Sequence, residues 1–147
     1  MVADEDGCTR MARECIALRV RLLNRVITKI YDDSLRPSGL RTAQLNILVA
    51  VSLMKSATPS EIEQRLSLEK STVSRNVERM RDRGWVKFVP TEDGRSHQIY
   101  LTAQGAALLR KAAAAWEEAQ NTAASVLGKE GVTALSRLGV PRRAPAG

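Results

Sequence analysis

Apolar residues first fall into a helical rhythm near Thr9. Met11, Cys15, Leu18, Leu22 and Val26 recur at steps of four and three, and Ile27, Ile30 and Tyr31 continue the stripe. Arg13, Arg21 and Lys29 take the opposite face. The pattern predicts one long amphipathic helix that stops before Pro37, with Gly39 marking the break. The acidic residues 1–7 ahead of it read as a loose terminus. Thr42 opens a second, apolar helix through Leu45, Ile47, Leu48, Val49, Val51, Leu53 and Met54, ending near Lys55-Ser56. Thr58-Pro59-Ser60-Glu61 is a strong start signal, because threonine serves as N-cap, proline fits the first helical position and glutamate closes a capping box. The helix it starts is short and buries Ile62 and Leu66. Another runs from about Lys70 to Arg83 and ends at Gly84.

Beyond Gly84 the period changes from 3.6 to about 2. Trp85, Val86, Phe88 and Val89 form one strand-like run and His97 to Leu101 another. The turn-rich segment Pro90-Thr91-Glu92-Asp93-Gly94-Arg95-Ser96 joins them into a hairpin. Thr102 then caps a second long helix with Ala106, Leu109, Ala113, Trp116, Ala119, Ala123 and Val126 on its apolar face. Gly128 breaks it, a short helix spans about Glu130 to Leu138, and 140–147 reads as a loose basic tail. The fold class expected is mostly α with a small β-wing, in which a winged helix-turn-helix sits between long terminal helices. The expected organisation is a single domain over 1–147, with dimerisation helices at 8–40 and 103–139 and the winged unit at 42–102.

Composition agrees with this reading. Aromatic residues are 3% of the 147, too few to line a large sandwich or barrel, and alanine, the best helix former, runs unbroken from Ala112 to Ala115. No apolar stretch is long enough to cross a bilayer, and the N-terminus lacks the apolar core of a signal peptide, so a cytoplasmic chain without a membrane partner is expected. One histidine and two cysteines cannot supply a structural zinc, and no metal or cofactor is expected. An enzyme is disfavoured too, since there is no Gly-rich phosphate loop and the single His97 has no evident nucleophile partner.

The net charge of +7 favours a polyanionic partner. Its distribution is uneven, with most of the excess between Arg10 and Arg41, whereas Ser60 to Tyr100 is nearly balanced. Cations in the winged unit must therefore act by placement. On the helix from Lys70 to Arg83, Val73, Val77 and Met80 share the face that packs on Ile62 and Leu66. Lys70, Ser71, Thr72, Ser74, Arg75 and Arg79 lie on the other. Arginine bonds guanine bidentately, and serine or threonine contacts bases or phosphates. Arg95 at the wing tip suits a narrow minor groove. Thr58 and Ser60, at a helix start, are candidates for capping and phosphate contact. His97 reads as a solvent or phosphate contact, and Tyr31, Trp85, Tyr100 and Trp116 as packing residues. A winged-helix module that binds protein and not DNA is the alternative; it would show exposed apolar residues in place of the polar face.

Several segments together resemble the multiple-antibiotic-resistance regulator (MarR) family of dimeric bacterial transcription factors. They are Leu40-Arg41-Thr42-Ala43-Gln44, Ser71-Thr72-Val73-Ser74-Arg75, Asp82-Arg83-Gly84-Trp85-Val86, and Asp93-Gly94-Arg95 followed by Leu101-Thr102-Ala103-Gln104-Gly105. The resemblance covers roughly residues 9 to 128. It implies that residues 70 to 79 face the major groove of double-stranded DNA, that Arg95 enters the minor groove, and that the terminal helices build a homodimer. It further implies a repressor relieved by a small anionic or phenolic effector, held by Arg13, Arg41 or their neighbours, or by thiol oxidation.

Cys8 and Cys15 are the candidate redox residues. Seven residues rise about 10 Å along a straight helix, beyond the roughly 7 Å that a disulfide allows between Cα atoms. A sensor disulfide would then have to join subunits or unwind the N-terminus. The other reading makes Cys15 a small buried apolar residue and Cys8 a terminal thiol.

Overall fold

The computed structural model describes residues 5–138. Its elements run α1 (Glu5–Glu14), α2 (Ile16–Leu35), a 3₁₀ turn (Arg36–Ser38), α3 (Thr42–Met54), α4 (Pro59–Leu66), α5 (Lys70–Asp82), β1 (Val86–Pro90), β2 (His97–Leu101) and α6 (Ala103–Leu138). The fold class matches the sequence reading: helices throughout, with one antiparallel hairpin pairing Val86 with Leu101 and Pro90 with His97. Among the described residues no helix is long and apolar enough to cross a membrane. The tail assigned to 140–147 lies outside the described residues.

The first helix is not continuous. Cys15 adopts an extended conformation (φ −61°, ψ 108°) that separates α1 from α2. Arg19 donates to the Arg13 carbonyl across the break. Helix also begins earlier than Thr9, so Glu5 to Gly7 belong to α1. Residues 1–4 of the terminus read as loose lie outside the described residues.

The core gathers residues from every part of the winged unit: Ile47, Leu48 and Val51 of α3, Ile62 of α4, Val73, Val77 and Met80 of α5, and Val86 and Ile99 of the hairpin. Leu35 of α2, Leu40 and Ala112 of α6 are buried in the same cluster. The terminal helices therefore help to build the winged core. A third, one-residue strand was not legible either: Ala57 exchanges both backbone hydrogen bonds with Ile99, at 3.1 and 2.8 Å.

Along α6 the buried positions are Gly105, Ala112, Ala119 and Ala123, with α2 packed alongside. Tyr31 donates to Gln120 across this contact, and burial raises its hydroxyl pKa, keeping the proton in place for that bond. Ala113 and Trp116, expected in the packed stripe, are exposed in the single chain. Gly128 (φ 70°, ψ 169°) kinks α6 where the sequence places a break.

Candidate nucleic-acid interface

Two caps fix helices of the winged unit around the candidate site. At α4, the Glu61 amide donates to Thr58 Oγ1 at 3.3 Å and the Thr58 amide donates to Glu61 Oε2 at 2.8 Å. The expected capping box is therefore formed, and Ser60 beside it is exposed. At α3, Asp32 of α2 does the work, since its Oδ1 accepts from the Thr42 amide at 2.8 Å and from the Thr42 hydroxyl at 2.7 Å. That bond ties the long helix to the first helix of the winged unit. Nothing in the periodicity announces it, because the two residues lie ten apart.

On α5, Val73, Val77 and Met80 are buried, while Lys70, Ser71, Ser74, Arg75 and Arg79 are exposed. Thr72 is half-buried, and its carbonyl accepts from Asn76 at 2.8 Å. Among the described residues no carboxylate forms an ion pair with Arg75, Arg79 or Arg95. The outer face of α5 thus offers hydroxyls and unpaired guanidiniums to whatever approaches it.

The hairpin tip is internally tied. Thr91 Oγ1 donates to Asp93 Oδ1 at 2.7 Å, the Arg95 amide donates to the same oxygen at 3.1 Å, and the Ser96 amide donates to Thr91 Oγ1 at 3.2 Å. The Thr91 bond, and next the Arg95 amide, hold the Asp93 carboxyl below its ordinary pKa. Gly94, at φ +68°, takes the left-handed position that the turn requires. Arg95 is exposed at this braced tip.

His97 is placed differently from its reading as a solvent or phosphate contact. Its ring stacks on Phe88 with centroids 4.2 Å apart, and its Nε2 is shielded from solvent without a hydrogen-bond partner. Arg83 was not singled out from the sequence, yet it donates to the Gly39 carbonyl at 3.1 Å and lies over the Trp85 ring.

An open groove of about 600 Å³ runs between α2 and the segment leading into α3. Arg21, Arg25, Lys29, Arg36 and Arg41 line it. Lys29 and Arg36 share Asp33 at 2.7 Å each, and the bond from Lys29 is the main reason the Asp33 pKa lies below the usual carboxylate value. Arg13, the other residue considered for an anion, does not line this groove. Cys8 and Cys15 are both exposed, so the buried reading of Cys15 does not hold in the single chain.

The MarR family model matches residues 38–96, from the loop before α3 to the wing tip. The M. tuberculosis transcriptional regulator MOSR, solved in complex with DNA, is 35% identical, with a TM-score of 0.73 over 85% of this chain and 93% of that one. The chain belongs to the MarR family. Among curated relatives, the HTH-type transcriptional regulator YwoH of Bacillus subtilis is 33% identical over 78 residues, 53% of this chain and 57% of that protein. Matches to the curated relatives span only part of their length, 57% of YwoH and 62% of the multiple antibiotic resistance protein MarR of Escherichia coli. BpsR of Bordetella bronchiseptica, whose DNA binding is regulated by 6-hydroxynicotinic acid, shares the fold at 20% identity, with a TM-score of 0.75 over 86% of this chain and 92% of that one. The relatives named here, MOSR and YwoH, are transcriptional regulators.

Proposed function

We propose that this MarR-family protein is a homodimeric repressor that reads a pseudo-palindromic operator and releases it on binding a small anionic or phenolic effector or on thiol oxidation. The carrying observation is the outer face of α5, where Ser71, Ser74, Arg75 and Arg79 are exposed beside a hairpin that presents Arg95. A helix fits the major groove, whose base edges are distinguishable, and an arginine suits the narrow neighbouring groove. Lys70, Thr72, Thr58 and Ser60 lie at helix starts, where amide groups and short polar side chains favour phosphate. The DNA complex of MOSR supports the assignment.

Dimerisation is inferred from apolar residues that the single chain leaves open. Leu22 is 52% exposed, Val26 49%, Trp116 41% and Val126 55%. A second copy would cover them, with 8–40 and 103–139 as the joining helices and 42–102 as the DNA-reading unit. Two-fold symmetry then sets half-sites about one helical turn apart. The groove beside Arg21, Arg25 and Arg41 suits an anionic effector, and BpsR supplies a regulator of the same fold that answers to an aromatic acid.

Genomic footprinting with the purified protein tests the proposal. The expected result is a small set of protected sites with paired half-sites about 10 base pairs apart. Uniform retention of all fragments, with no protected site, contradicts it.

A further inference from the structure

We propose that Arg81, Phe88 and His97 form a positioning unit that sets the angle of the hairpin against α5, so that Arg95 and the α5 face can engage one duplex together. This rests on the DNA-reading function proposed above.

A two-stranded hairpin is marginally stable alone and needs bracing from outside. Its inner face presents Val86, Phe88 and Pro90 opposite Leu101, Ile99 and His97. Val86 and Ile99 are buried in the core, and Ala57 pairs with Ile99. One step further out the core gives way to Phe88 and His97. Their rings lie 4.2 Å apart and 20° from parallel. The Arg81 guanidinium, in the last turn of α5, lies 4.8 Å from the centroid of the same Phe88 ring. Phe88 thus touches both the opposite strand and the helix that carries the recognition face.

Two observations separate this stack from ordinary surface packing. The His97 Nε2 has neither solvent nor a partner, so that side of the ring is placed for packing. The tip beyond it is tied through Thr91, Asp93 and Ser96 to itself. A tip that is braced internally moves as one piece, and its direction is set at its root. Arg95 lies four residues beyond Ile99, at most about 13 Å along the chain, so a tilt of about 15° there moves it by up to about 3 Å. That is the length of a hydrogen bond, enough to take a guanidinium out of reach of its groove.

The test is a double-mutant cycle on the operator recovered by footprinting, joined to dimethyl sulfate probing of guanine N7 in the major groove and adenine N3 in the minor groove. Phe88→Leu keeps an apolar residue and removes the ring. It is expected to weaken binding about tenfold, lose the flanking minor-groove protection and keep the major-groove protection. Added to Arg95→Ala, it should cost less than twofold more, because both remove one contact. His97→Phe preserves the stack and should retain both protections. Should Phe88→Leu fail to fold by circular dichroism, Arg81→Gln, whose side chain is 50% exposed, carries the same comparison. Losses that multiply in the double variant, or minor-groove protection that survives Phe88→Leu or Arg81→Gln, overturn the inference while leaving the DNA-reading function standing. A wild-type protein that protects no DNA overturns both.

Discussion

At Asp93 one carboxylate oxygen serves two donors, the Thr91 hydroxyl and the Arg95 amide. Both bonds favour the ionised form, so the folded pKa lies below the unfolded one. The contribution to the turn is complete above the unfolded value and is lost as pH falls through the folded one. In an NMR titration the Arg95 amide shift should follow the Asp93 carboxyl with a midpoint below the ordinary carboxylate range, and Asp93→Ala should speed exchange of that amide. A midpoint at or above the ordinary range contradicts this account of the wing tip. The tip was legible residue by residue, because Asp-Gly fixes a turn and the cation beside it has few roles there. His97 was not, since its partner Phe88 lies across the hairpin and is found only from register. Arg83 and Asp32 were missed for the same reason: their partners, Gly39 and Thr42, face them from separate elements.

The elements themselves were written mostly in local chemistry. The Thr58 box, the switch to period two after Gly84, the Thr102 cap and the break at Gly128 all sit where the sequence places them. Thr58→Ala should cost about 1 kcal/mol, as typical caps do, read as a lower urea midpoint at unchanged slope; an unchanged midpoint contradicts the capping account. The interruption at Cys15 escaped notice because an apolar stripe at steps of three and four continues through it. That interruption begins beyond the Cys15 Cα, because the Cys15 amide still donates to the Met11 carbonyl at 3.1 Å. Cys8 and Cys15 therefore stay about 10 Å apart along one helix, and a bridge must join subunits or unwind α1; both thiols are exposed. Treated with diamide, two thiols pass two electrons and two protons to the reagent and join as a disulfide. If they serve as the sensor, the oxidised protein should lose operator affinity, regain it with reductant, and show neither change in Cys15→Ser. An oxidised wild type that binds DNA unchanged removes thiol oxidation from the proposed function.

Across the whole molecule, the winged unit and the long helices share one core, through Leu35, Leu40 and Ala112, which links the helices to the face proposed to read DNA. Periodicity could not reveal this sharing, because an apolar stripe has the same spacing whether it meets its own chain or a second copy. The exposed Leu22, Val26 and Trp116 call for that second copy. Sedimentation equilibrium at micromolar concentration should give a dimer, and a monomer there contradicts the proposed assembly. Cations on α2 and around Arg41 carry much of the +7 excess, whereas α5 and the wing rely on a few placed arginines. The central claim, that these arginines read DNA, is tested most directly by fluorescence anisotropy of the operator across a salt series, with wild type, Arg75→Ala and Arg95→Ala, each checked for fold by circular dichroism. The account expects wild-type affinity to fall steeply with salt, Arg75→Ala to lose about 1–3 kcal/mol, and Arg95→Ala to bind more weakly; folded variants that bind as tightly as wild type would contradict it.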